Sequence, residues 1–125
     1  MAVRLGGPGG GLAVTGSYPG RARTAAQLRS DLDLALALAP GRHRLNLHAI
    51  YGEAAGTPTG RLTLSIENFE NWIGWAAERC MAVDFNATLF GHPMASSGLT
   101  LAHGNADVRR FWVEHVRLSR SIAAE

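Results

Sequence analysis

Arg44-Leu45-Asn46-Leu47-His48-Ala49-Ile50 is the stretch that decides the fold. Leu45, Leu47 and Ala49 fall on one side of an extended chain, and Asn46 and His48 fall with Ile50 on the other. That is the period-two pattern of a strand. Upstream, Thr24 and Gln27 have the spacing of a capping box. Leu28, Leu32, Leu36 and Ala39 then recur every three or four residues, with Leu34 and Leu38 widening the stripe. Arg29 and Asp33 stand at i,i+4, and Pro40-Gly41 ends the helix. Downstream, 51–65 reads as a Gly/Pro/Thr-rich loop. A second helix follows over 67–79, with Phe69, Trp72, Ile73 and Ala76 on one side.

Ala82-Val83-Asp84-Phe85-Asn86 reads as another strand, with Asp84 and Asn86 on one face and Val83 and Phe85 on the other. A long loop over 87–104 leads to a third helix. Asn105 is its N-cap, and Val108, Phe111, Trp112, His115, Ser119 and Ile122 form its stripe. Leu12-Ala13-Val14-Thr15, closed by Gly16 and Tyr18-Pro19-Gly20, supplies a strand at the start. The order is β-α-β-α-β-α. Strand centres near Val14, Leu47 and Asp84 lie 33 and 37 residues apart, close to the about 31 residues per unit of a (β/α)8 barrel. The expected fold is therefore α/β, about three βα units of a larger TIM barrel. The short links follow helices and the long loops follow strands, which puts the long loops on the face where such barrels carry chemistry.

The first twenty residues hold seven of the fifteen glycines. Ordering glycine costs much entropy and buries little, so 1–10 is expected to be loose, leaving 11–125 as one partial-barrel domain. Twelve basic and ten acidic residues give a formal charge of +2, too weak a field to point to nucleic acid or a membrane surface. Every one of the basic residues is Arg. A single cysteine, Cys80, excludes an internal disulfide and a cysteine-rich zinc site. No apolar run of about 18 residues exists, and no signal-like segment opens the chain, so a cytoplasmic setting is expected.

His48 is the first candidate for chemistry. A neutral imidazole at the C-terminal end of a strand, beside a long loop, suits proton transfer or a hydrogen bond to a sugar oxygen. A core histidine satisfied by a neighbouring carbonyl is the competing reading. Asp84 and Asn86 offer acceptors and a donor for a polyol, or else hydrogen bonds to the next strand; Asp84 is expected to be the deeper. His92 and His103 flank the third long loop, but with Asp84 they match no metal-ligand spacing. Gly9-Gly10-Gly11 lacks the Lys-Ser/Thr of a phosphate loop. Trp72, Trp75 and Trp112 read as packing residues, and Arg109-Arg110, Arg117 and Arg120 as a solvated helix face.

Thr15-Gly16-Ser17-Tyr18-Pro19-Gly20-Arg21-Ala22-Arg23 resembles a stretch of the L-rhamnose isomerase family. The likeness continues through 44–51, Asn71-Trp72-Ile73-Gly74-Trp75-Ala76, Asp84-Phe85-Asn86, Phe90-Gly91-His92-Pro93, Gly98 to His103 and Arg110-Phe111-Trp112, in order. The chain departs at Ala87, where the family usually has Pro, and at Cys80 and Ala82, where small glycine-like positions are common. The resemblance implies a (β/α)8 enzyme that interconverts L-rhamnose and L-rhamnulose, homotetrameric and dependent on Mn²⁺. Its metal ligands would lie on later strands, outside this chain. It further implies that His48 faces the sugar and helps to open its ring, and that Phe85, Asn86 and Phe90 stand near the substrate. The chain would then be an N-terminal-side fragment, inactive alone. The alternative is a non-catalytic partial barrel that binds sugar or associates with itself.

Overall fold

The computed structural model describes residues 22–125, so the strand expected at Leu12–Thr15 and the looseness expected of 1–10 lie outside the described residues. Helix α1 spans Ala25–Leu38. Its N-cap Thr24 accepts a hydrogen bond from the Gln27 amide at 3.2 Å, and Gln27 Oε1 accepts from the amide of Arg23 rather than that of Thr24. Leu28 is buried, and Leu32 and Leu36 pack partly against the core. Leu34, Leu38 and Ala39, expected in the apolar stripe, are exposed. The i,i+4 pair Arg29–Asp33 does not form. Both side chains find partners on other elements: Arg29 bonds Glu53, and Asp33 accepts from Arg79 Nε at 2.6 Å.

Strand β1 (Arg44–His48) lies parallel to the strand Ala82–Asn86, and the register pairs Asn46 with Asp84, Leu47 with Phe85 and His48 with Asn86. The sequence extends β1 to Ile50, but Ala49–Tyr51 is a 3₁₀ turn closed by the Gly52 amide on Ala49 O. All three of its residues are buried, so the apolar run at the end of β1 serves packing rather than pairing. The loop 51–65 contains two short antiparallel strands, β2 (Glu53–Ala54) and β3 (Thr57–Pro58).

A 3₁₀ turn at Ile66–Phe69 precedes α2 (Glu70–Glu78), so the second helix begins later than its periodicity suggests. Asn68 Oδ1 accepts from the Ser65 amide at 2.8 Å and anchors that turn. Trp72, Trp75 and Ala76 are buried on α2, whereas Ile73, expected among them, is 40% exposed. The 3₁₀ entry explains the difference, because it rotates the face that Phe69 starts. Strand β4 is Ala82–Asn86. The loop beyond it makes a 3₁₀ turn at Pro93–Ala95, and Asn105 caps α3 (Ala106–Ala123) through Asp107 N–H at 2.7 Å. Trp112, His115, Ser119 and Ile122 are buried along α3.

The core gathers Leu45 and Leu47 from β1, Phe69, Trp72 and Trp75 from the α2 region, Leu28 from α1 and Ile122 from α3. The apolar face of β1 is therefore covered by helices. The opposite face of the two-stranded sheet carries Arg44, Asn46, His48, Asp84 and Asn86. Mixed helix and strand around a small parallel sheet makes the fold α/β. Among the described residues, no helix is long and apolar enough to cross a membrane.

Candidate functional site

Among the described residues, chemistry-bearing side chains converge at strand ends on the polar face of the parallel sheet. Because β1 and β4 run parallel in register, Asn46 stands beside Asp84, and His48 beside Asn86, as two successive polar rungs. Asp84 does not lie deep. It is exposed and takes a bidentate ion pair from Arg44, Nε to Oδ2 at 2.8 Å and Nη2 to Oδ1 at 2.7 Å. The Arg44 guanidinium hydrogen bond holds the Asp84 carboxyl below its ordinary value. Asp84 is thus occupied in tying the strands, and the rung nearer the C-terminal end is the chemically open one.

His48 is half-buried at that end. Its Nδ1 lies 3.2 Å from the Thr88 hydroxyl, and its ring stands 5.6 Å from Tyr51 and 6.0 Å, edge-on, from Phe90. Burial lowers its pKa from the ordinary histidine value, and the nearby charge of Arg61 lowers it further. Asn86 accepts the Thr88 amide on Oδ1 at 2.8 Å, an Asx turn that starts the loop over the strand ends. Arg61 fastens the same loop from behind, with Nη1 donating to Thr88 O and Nη2 to Phe90 O, each at 2.8 Å. Desolvation of this buried guanidinium drops its pKa to about 10. On α3, fully buried His115 meets Arg61 O through Nδ1 at 2.9 Å and Ala87 O through Nε2.

The structure therefore brings His48, Asn86 and Phe90 together. It does not bring Phe85 to them. Phe85 pairs with Leu47 across the ladder, so the strand alternation turns it to the helix-covered face, where it packs edge-on against Phe69 at 5.2 Å. Arg61, Thr88 and His115 escape sequence reasoning. Arg61 is a lone arginine in a Gly/Thr-rich loop, and His115 reads only as one member of a helical stripe. A groove of about 90 Å³ is lined by Leu32, Leu36, Leu45, His48, Tyr51 and Met81.

His92 and His103 each satisfy a local amide, Met94 N–H at 3.1 Å and Asn105 N–H at 3.0 Å. His92 also stacks on Phe111 at 4.8 Å. Among the described residues no group of three His, Cys, Asp or Glu stands close enough to hold a metal ion.

In α/β folds ligands bind outside the carboxyl ends of the parallel strands, and it is there that this chain places His48 and Asn86. The family model described as L-rhamnose isomerase (RhaA) matches residues 2–125. The L-rhamnose isomerase of Rhodopirellula baltica is 53% identical over 116 residues, covering 93% of this chain and 27% of that protein. Those of Enterobacter sp. strain 638 and Yersinia pestis are 50% and 49% identical over 115 residues, each covering 92% of this chain and 27% of the relative. The chain belongs to the L-rhamnose isomerase family and spans about a quarter of the length of the curated relatives it matches.

Proposed function

We propose that this chain is the part of an aldose–ketose isomerase for L-rhamnose that carries a substrate-facing acid/base histidine, His48. The observation that carries the reading is the family match along 2–125, which includes the rung His48–Asn86 at the strand ends. The two parallel strands with covering helices are read as part of a (β/α)8 barrel whose polar interior is the face bearing Asn46 and His48. The neutral imidazole is suited to take a proton from a sugar hydroxyl or return one, with Asn86 and Phe90 beside it as hydrogen-bonding and apolar walls. The whole protein is read as a cytoplasmic homotetramer that uses a divalent cation, Mn²⁺, to polarise the substrate oxygens. Among the described residues no group of three His, Cys, Asp or Glu fits a metal ion, and the ligands are read as lying in the remainder of the protein.

The test is His48→Asn in the full-length protein. Turnover of L-rhamnose falls by about 10²- to 10⁴-fold, the range for a lost acid/base group, with Mn²⁺ affinity unchanged. Turnover close to that of the parent overturns the assignment of His48. The 125-residue chain alone, given L-rhamnose and excess Mn²⁺, is expected to show no isomerisation; turnover there would overturn the reading that the metal ligands lie elsewhere.

A further inference from the structure

We propose that Thr88 is a positioning residue for His48, whose hydroxyl holds the imidazole with its proton on Nδ1 and a free lone pair on Nε2. The inference rests on the reading of His48 as an acid/base group and says which nitrogen acts. Thr88 is the odd residue of the site. It is β-branched and 1% exposed, yet its φ is +56°, a region where side chains with a branched Cβ are strained. Strain of that kind persists where surrounding bonds over-determine the conformation. Here they do. The Thr88 amide is held by Asn86 Oδ1, and its carbonyl by the Arg61 guanidinium.

The left-handed conformation leaves Thr88 Oγ1 between two groups, Asn86 O and His48 Nδ1, each at 3.2 Å. A hydroxyl has one proton to donate. The Asn86 carbonyl only accepts, so the hydroxyl donates there and offers its lone pair to His48. Nδ1 must then carry the hydrogen. Burial and the charge of Arg61 both work against an imidazolium, so the ring holds one proton and Nε2 is left as the base. Nε2 makes no hydrogen bond among the described residues. The chemistry it fits is the O–H of a sugar hydroxyl.

The test is the protonation pattern of the His48 ring in the full-length protein. [¹⁵N]Histidine labelling with long-range ¹H–¹⁵N correlation, at a pH well above the ordinary histidine pKa, separates N–H from lone-pair nitrogens. The signals of His48 are assigned by their loss in His48→Gln. Nδ1–H with an unprotonated Nε2 is expected in the parent and in Thr88→Ser, which keeps the hydroxyl. Thr88→Val keeps the shape, removes the hydroxyl and moves the tautomer ratio toward Nε2–H by about tenfold, the worth of one lost hydrogen bond. An Nε2–H ring in the parent, or a ratio unchanged in Thr88→Val, overturns the proposal. If Thr88→Val does not fold, the parent and Thr88→Ser spectra decide. Loss of turnover in His48→Asn together with an Nε2–H parent would keep the role of His48 and remove that of Thr88. Intact turnover with Nδ1–H would do the reverse.

Discussion

Arg29 Nη1 and Glu53 Oε1 meet at 2.9 Å in an ion pair whose side chains are only 15% and 5% exposed, joining α1 to the short strand β2. Asn71 Nδ2 donates to the same carboxylate oxygen at 3.0 Å, and the Arg29 guanidinium lies over the Trp72 ring at 4.9 Å. Every charge in this cluster is satisfied by another element, so it holds α1, β2 and α2 in one arrangement. Removing one partner strands a buried charge. Glu53→Leu alone is expected to destabilise the chain by about 3 kcal/mol. The double variant Arg29→Met/Glu53→Leu loses much less than the sum of the single changes. Urea midpoints of the four proteins of the cycle measure this.

Gly52 has an ordinary φ of −57°, so its constraint is space, not conformation. A Cβ there would lie 2.7 Å from Leu64 Cδ2, 2.8 Å from Thr59 Oγ1 and 3.1 Å from Phe69 Cζ. Two of these atoms belong to buried core side chains that have nowhere to move. Gly52→Ala is expected to cost about 2 kcal/mol by overpacking. Thermal unfolding tests it, with Gly74→Ala, where the added Cβ meets nothing within 4 Å, as the control.

Cys80 follows the C-cap of α2 with φ +52°. Its amide bonds Ala77 O at 3.0 Å, and the Met81 amide bonds Ala76 O at 2.9 Å, the two bonds of a Schellman stop. The residue at that position wants no Cβ. Cys80→Gly is expected to stabilise the chain by about 1 kcal/mol through relief of the left-handed strain. A rise in the urea midpoint with an unchanged slope is the measurement.

Acid should weaken the fold through His48 and His92. Burial is the first cause of the lowered pKa of each, and the charge of Arg61 adds to both. Each therefore binds fewer protons folded than unfolded near pH 6.5 and just below, and in that window stability rises with pH. The contribution is complete above the unfolded histidine pKa and is lost as pH falls through the lower folded value. Urea midpoints are expected to drop between about pH 7.5 and about pH 5.5, and to drop less in His48→Gln. An equal drop in both proteins would remove His48 from the account.

What the sequence makes legible here is local. The bounds of β4, the alternation in β1, the Thr24 and Asn105 caps and the stripe of α3 depend on neighbours within one turn or one rung. The face that joins His48 with Asn86 follows from the same alternation, and so does the opposite placement of Phe85. What stays hidden is carried by long separations. Arg61 reaches Thr88 across 27 residues, Arg29 reaches Glu53 across 24, and Asp33 is claimed by Arg79 across 46. A helical wheel shows Arg29 and Asp33 as partners because it cannot see competitors on other elements. It misplaces Ile73 because a 3₁₀ turn advances the chain by a different angle from an α-turn.

The stop at Cys80 leaves one residue, Met81, before β4 begins. Strand side chains alternate with a period of two, so the length of that turn sets the phase of everything after it. An inserted residue would swing Val83 and Phe85 toward His48 and drive Asp84 and Asn86 among the helices. Substitutions in the turn leave that parity untouched, whereas a single insertion or deletion inverts it. The chemistry of the strand end is thus written partly as a count of residues in the turn that precedes the strand.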